Sequence, residues 1–295
     1  MKFLISNNPS SLRKELELYL YSATVEAEYG DEVVGGTVVT MAHHGPRTGN
    51  MAPSEHCWDH KFANVEIVGL SHFDLDTLGG CMVLMGCFPD DRRFEKFWAA
   101  AVYVDLHGPH MLKEFLLNCG SPCVVREDLS DLFNTFWAWS EKNRLFPPRN
   151  GSVEEVTEFV EKAVGVLLRI LHGDETLLQK GREWKEEKEN LNHASFVKVE
   201  GGVILRQSSE FVNHLYDTPD GVVSRAVVGF NSERKSITVS FADGDNCPSA
   251  VSIVQSLWGT EAGGHGGIAG SPRAQEMEQE DALRAFEATK AALKK

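Results

Sequence analysis

Ser71-His72-Phe73-Asp74-Leu75-Asp76-Thr77-Leu78-Gly79-Gly80 sets an imidazole and two carboxylates on alternate residues, directly after the β-rich run from Val65 to Leu70. Two carboxylates held together repel each other unless a cation neutralises them. An oxygen-rich donor set with some imidazole suits hard or borderline divalent ions, Mn²⁺ or Mg²⁺. The plain alternative is an Asx turn, or an N-cap in which Asp76 starts the following helix. That accounts for one residue and leaves His72, Asp74 and the glycine pair unexplained.

Three other stretches carry groups of the same kind. Val104-Asp105-Leu106-His107-Gly108-Pro109-His110 closes a second short apolar run, Ala101 to Val104. An aspartate between two ions can bridge them, the arrangement that activates water, with His110 or His107 completing the second shell. A Gly-Pro turn bearing solvated histidines explains the same string. Between Thr260 and Arg273 five glycines expose backbone N–H groups suited to an anion, with His265 and Arg273 as donors. Finally, Met41-Ala42-His43-His44-Gly45-Pro46-Arg47 follows the β-like run Thr37 to Thr40, so His43, His44 and Arg47 are candidates for an extra metal ligand or phosphate donor. His56 and His60 read as a polar surface loop.

These groups need a scaffold. A chain of 295 residues buries a core without staples, as one large domain or two ordinary ones. Val65 to Leu70 reads as a strand, Leu78 to Cys87 and Phe94 to Ala101 as helices, and Ala101 to Val104 as a second strand. That is a βαβ unit in a parallel sheet, whose ligand crevice lies outside the carboxyl ends of the strands. Pro147-Pro148 and Gly151 break the chain, and Ser152 with Glu155 has capping-box spacing. A helical stretch follows to about Leu191, broken near His172-Gly173-Asp174. From Ala194 short strands alternate, then Ser249 to Trp258 and a final helix with Leu283, Phe286 and Leu293 in a stripe close the chain. The expected organisation is an α/β domain over 1–149 with a parallel sheet, a helical connector over 150–193, and a smaller α+β domain over 194–295.

Charge and cysteine usage narrow the partners. Twenty-nine Lys+Arg against 43 Asp+Glu leave a formal charge of −14, which disfavours long nucleic acid but allows a local pocket for a small anion. Six cysteines form no CxxC pair, in keeping with reduced thiols and a cytoplasmic setting. No signal segment is evident, and no window approaches the ~18 apolar residues of a membrane span. A homodimer is compatible with this reading.

Together the motifs bring the DHH phosphoesterase superfamily into view. SHFDLDTLGG resembles that family's first motif, and GGHGGIAG resembles the GGH-x-x-A-x-G signature of the DHH-associated C-terminal domain. The resemblance runs from about residue 60 to 273. It implies that His72 and Asp74 hold one ion, that Asp76 holds the other, and that Asp105 bridges two Mn²⁺ or Mg²⁺ ions. It also implies that Gly264, His265 and Arg273 bind substrate in the second domain. The chain departs from the family in having no contiguous Asp-His-His triplet, so His110, with His107 second, is the expected replacement. Asp131, or Asp128, stands for the family's fourth acidic ligand. The implied activity is metal-dependent hydrolysis of a small phosphorylated substrate, such as a short oligonucleotide, cyclic dinucleotide, nucleoside phosphate or polyphosphate. Two alternatives are a zinc-dependent aminoacyl-ester hydrolase, faintly suggested by His56-x-x-x-His60, and a non-catalytic member that binds a nucleotide or protein.

Overall fold

The computed structural model describes residues 1–47, 49–58, 62, 64–88, 94–118, 126–244, 246–264, 266–272 and 274–294. They form a mixed α/β chain of two compact units, Met1–Trp184 and Lys185–Lys295. His60, His265 and Arg273 lie outside the described residues, as does the side chain of Asp128.

The first unit is built on five strands: β1 (Lys2–Ile5), β2 (Ser22–Val25), β5 (Val39–Met41), β6 (Ile67–Leu70) and β7 (Glu154–Glu155), in the order β5-β2-β6-β1-β7. The first four in that order run parallel, and β7 closes the β1 edge antiparallel. A small hairpin, β3 (Glu28–Tyr29) and β4 (Glu32–Val33), follows β2. Every residue of β2 and β6 is buried, as expected of parallel strands covered on both faces. Leu12 and Leu16 of α1 (Pro9–Leu16) pack with Leu4 and Ile67 on one face. On the other, Phe3, Val25 and Leu70 join a core supplied by α2 (Leu75–Leu84), α3 (Glu95–His107), α5 (Arg126–Lys142) and α6 (Thr157–Leu171). The short α4 (Leu112–Asn118) follows α3.

Helix α2 is buried on all sides, Asp76 included, and its glycine pair explains how. A Cβ on Gly79 would come within 2.7 Å of Ser54 Cβ and 2.8 Å of Trp98, and one on Gly80 within 2.7 Å of Val25 and 2.8 Å of Pro53. Without those methyls the helix lies directly against β2 and the 3₁₀ turn Pro53–Trp58.

Two local expectations are corrected. Residues 101–104 are not a strand but part of α3, in which Phe97, Trp98, Ala100, Ala101 and Val104 are buried at helical spacing. The Val102-Tyr103-Val104 run has strand propensity, but packing against α2 decides its state. The parallel neighbours of β6 therefore come from the N-terminal 41 residues. Ser152 does not cap a helix either: residues 154–155 pair with β1, and α6 starts after Val156.

The second unit holds a six-stranded sheet in the order β12-β13-β11-β10-β9-β8. Its strands are β8 (Phe196–Glu200), β9 (Val203–Ser208), β10 (Ala226–Asn231), β11 (Ser236–Phe241), β12 (Gly263–Gly264) and β13 (Ile268–Gly270). Only β9 and β10 pair in parallel. Helices α8 (Ala250–Trp258) and α9 (Gln279–Ala292) share a core with it. In α9 the buried stripe is Ala282, Ala285, Phe286 and Thr289, and Leu283 is exposed. Helix α7 (Glu175–Ser195) runs across the division. No described helix is long and apolar enough to cross a membrane.

Candidate metal centre

Parallel strands deliver their last residues to one edge of the sheet, and here that edge is polar. Glu26 follows β2, His43 and His44 follow β5 by two and three residues, and Ser71 and His72 follow β6. Glu26 is fully buried with φ +48°, a left-handed conformation that is costly for a residue with a Cβ. Its backbone is held on both sides, its N–H donating to Met41 O at 2.8 Å and its carbonyl accepting from Ser71 Oγ.

Three imidazoles converge on four carboxylates. His43 Nε2 lies 2.9 Å from Glu26 Oε1, 3.2 Å from Asp76 Oδ2 and 3.1 Å from Asp105 Oδ2. His44 Nε2 lies 3.2 Å from Glu26 Oε1 and 3.1 Å from Asp105 Oδ2. His72 Nε2 lies 3.1 Å from Glu26 Oε2 and 3.3 Å from Asp74 Oδ2. Thr77 Oγ1 donates to Glu26 Oε2 at 2.5 Å, and Thr77 N donates to Asp74 Oδ1 at 2.9 Å, so Asp74 caps α2. Ser54 Oγ donates to Asp76 Oδ1 at 2.6 Å.

One Nε2–H has one direction. The His43 hydrogen serves Glu26, and among the described residues Asp76 Oδ2 and Asp105 Oδ2 are buried with no hydrogen-bond donor. Solvent-shielded carboxylate oxygens in that state are expensive unless a charge faces them. The donor set itself, imidazole nitrogens and carboxylate oxygens within reach of one another, is that of a divalent cation. Among the described residues, two groups have their ligand atoms within 4.8 Å of one another: Glu26, His43, His44 and Asp105, and Glu26, His72 and Asp74. This buried cluster can hold a metal ion.

The electrostatics of the cluster favour protonated imidazoles. Burial opposes protonation of His43, but Asp105, Asp76 and Glu26 overcome it and lift the group to about 12. Contacts with Asp105 and Glu26 raise His44 to about 10. In His72 burial is again outweighed, by Asp74 and Glu26, and the value reaches about 11. Burial raises Asp76 to about 6, against the pull of His43. Burial would raise Glu26 too, yet its three histidines hold it well below the usual carboxylate range.

Of the residues expected from sequence, His72, Asp74, Asp76, Asp105, His43 and His44 meet here. Asp105 arrives from the last turn of α3, and the residue common to both groups is Glu26, which sequence reasoning passed over. His107 and His110 belong to neither group; the His107 ring packs on Tyr103 at 4.6 Å between centroids. Asp131 of α5 instead pairs with Arg182 of α7 at 3.3 Å. Arg47 turns onto the β3–β4 hairpin, where Nε donates to Glu28 Oε1 at 2.7 Å. Gly264 lies in the second unit, opposite Ala269 in the β12–β13 pair, where an added Cβ would stand 2.4 Å from Ile268 O.

No model of a known protein family matches the chain, and a search of curated proteins finds no significant match.

Proposed function

We propose that the first unit is the catalytic centre of a metal-dependent phosphoesterase that hydrolyses a small phosphorylated substrate. The observation that carries this reading is the division of Glu26, with Oε1 turned to His43 and His44 and Oε2 to His72. A carboxylate split in this way suits a pair of ions, one with His43, His44 and Asp105, the other with His72 and Asp74. Asp76 Oδ2 faces the first group through His43. Divalent cations bound there, Mn²⁺ or Mg²⁺, would polarise a phosphoryl oxygen and bring the acidity of a water toward neutral pH.

Charge arithmetic supports the same substrate class. Once bound ions have displaced the imidazole protons the four carboxylates carry −4, and two dications would bring the cluster to zero, so that a phosphate would meet metal rather than bare carboxylate. The net charge of −14 for the whole chain favours a short ligand over a long strand. The residues that align the reaction are those fixed by hydrogen bonds. Thr77 holds Glu26 and Asp74, and Ser54 holds Asp76, so the oxygens left over point into the cluster without reorganising. The likeness of SHFDLDTLGG and GGHGGIAG to DHH phosphoesterase motifs agrees with this chemistry, and by it Gly264, His265 and Arg273 bind substrate.

The test is release of p-nitrophenol from bis-p-nitrophenyl phosphate, beside a panel of short nucleotides, with and without Mn²⁺. Wild type should turn over only with the ion, and Asp76→Ala should be inactive while remaining folded. Wild type without activity and without metal in stoichiometric amount would reject the reading.

A further inference from the structure

His43 and His44 are not held by the strand that precedes them; they stand at the start of a loop, and a loop fixes a ligand poorly unless something braces it. The brace is Glu28. Its side chain is 6 % exposed, and its Oε1 accepts from His44 N at 3.1 Å and from Arg47 Nε at 2.7 Å. Arg47 continues outward, donating from Nη2 to Gly30 O at 2.8 Å and from Nη1 to Asp31 O at 3.1 Å. It thereby grips the turn of the β3–β4 hairpin. Asn50 closes the loop from the other side, its Nδ2 donating to Ala42 O at 2.9 Å.

The same hairpin follows Glu26 by one residue. Glu28 therefore connects the segment carrying the shared carboxylate to the backbone of the histidine that faces it. Its carboxylate touches neither group of ligand atoms and its partners are a main-chain N–H and a guanidinium. We infer that Glu28 and Arg47 are positioning residues that set the His43–His44 pair against Glu26 and Asp105, and have no part in holding the group formed by His72 and Asp74. Outer-shell partners of this kind commonly change metal affinity by about 10–100-fold.

The inference rests on the metal reading of the site, and the experiment separates the two. Mn²⁺ is titrated into the full-length, metal-free chain by calorimetry, for wild type, Glu28→Ala, Glu28→Gln and Arg47→Met. In parallel, imidazole ¹H–¹⁵N spectra of the same metal-free proteins report His44 and His72 without any ion. The expected result is weakening of one Mn²⁺ site by about tenfold or more in Glu28→Ala and Arg47→Met, with the other within about twofold. Glu28→Gln, which keeps an acceptor for His44 N, recovers part of the loss. The His44 signals should move in Glu28→Ala while those of His72 stay. Equal loss at both sites would overturn the inference, as would unchanged His44 signals. Wild type that binds no Mn²⁺ would reject the metal reading, and the spectra alone would then decide whether Glu28 positions His44.

Discussion

Ser54 Oγ donates to Asp76 Oδ1 across 22 residues of chain, at 2.6 Å, and this bond decides which oxygen Asp76 offers to the cluster. Oδ1 is occupied by Ser54, so Oδ2 alone faces His43 Nε2. The contact exists because Gly79 and Gly80 let α2 lie against the turn that carries Ser54. Ser54→Ala leaves a buried carboxylate short of a donor, a change that costs about 1–3 kcal/mol. The urea midpoint in EDTA should fall accordingly, and saturating Mn²⁺ should recover part of it. A variant as stable as wild type in EDTA would show that Ser54 does not hold Asp76.

Gly79→Ala tests the close approach itself. Alanine favours the helix by about 1 kcal/mol over glycine, but the new methyl would meet Ser54 and Trp98 below 3 Å. Overpacking of a closed core costs about 1–3 kcal/mol, so the expected sign is destabilising. Thermal melting of Gly79→Ala should lie below wild type, and Mn²⁺ affinity should fall with it because Ser54 and Asp76 are pushed apart. A higher melting temperature would mean that helix propensity wins and that α2 has room to shift.

The imidazoles predict a pH dependence with a definite sign. His43, His44 and His72 are raised to about 12, 10 and 11 in the metal-free chain, so all three are protonated at pH 7. A cation needs neutral nitrogen, so Mn²⁺ binding must expel protons and its affinity must rise with pH. Raised histidine values stabilise the fold fully below the unfolded value near 6.5, and that stabilisation shrinks continuously as pH climbs from there to about 10–12. Asp76, raised to about 6, acts with the same sign at lower pH: its cost appears as pH rises from about 4 to 6. Melting in EDTA should therefore soften between pH 4 and 6, fall further and steadily from about pH 7 to 10, and level off only above the folded histidine values. Calorimetry of Mn²⁺ binding in buffers of different ionisation enthalpy should report proton release, and its absence would contradict the protonated site.

How much of this could be read from the chain alone depends on how each ligand is delivered. His72 and Asp74 follow a β-rich run and precede an apolar helix that Asp74 caps, a local pattern visible in sequence. Asp105 was legible as a residue but not in its setting, because Ala101 to Val104 has strand propensity and only packing against α2 makes it helix. His43 and His44 stood out as a pair, although the partners of Arg47 lie 16 to 19 residues earlier and no spacing announces them. Glu26 left the weakest trace. With Glu28 it reads as the polar side of an exposed strand, whereas β2 is buried at every position and Glu26 continues it with a positive φ into the interior. The usable signal was that it directly follows a short β-prone run, Ala23-Thr24-Val25, much as Ser71-His72 follows another.

Glu26→Gln follows from that position. The amide keeps the volume and an acceptor but removes the only charge common to both ligand groups. Loss of both Mn²⁺ sites together is expected, with hydrolysis of the phosphodiester abolished. The metal-free variant should also be less stable than wild type, since three imidazolium groups lose their shared counter-ion. Retention of one full-strength site, measured by calorimetry or manganese EPR, would show that Glu26 is not shared.

Arg206 provides a prediction confined to the second unit. It is wholly buried on β9 and has no carboxylate in its hydrogen-bonding shell as described; its acceptors are carbonyl, amide and hydroxyl oxygens. Nε donates to Leu215 O at 2.8 Å, and Nη1 donates to Asn192 O at 2.7 Å and Ser195 Oγ at 2.9 Å. Those acceptors belong to the last turn of α7 and to the loop after β9, so one guanidinium ties both to the sheet. Burial lowers its pKa to about 10, against the opposing charge of Asp217, so the guanidinium stays charged and is balanced by that carboxylate together with the carbonyl dipoles. Arg206→Met would strip several buried acceptors of their donor at once, and each such loss costs about 1–3 kcal/mol. Urea unfolding followed through Trp258 should shift by at least about 3 kcal/mol, and Mn²⁺ binding by the first unit should persist under conditions where both proteins are folded. A shift below roughly 1 kcal/mol would place Arg206 among substitutions the fold absorbs, and the ring of carbonyls around it would then need another explanation.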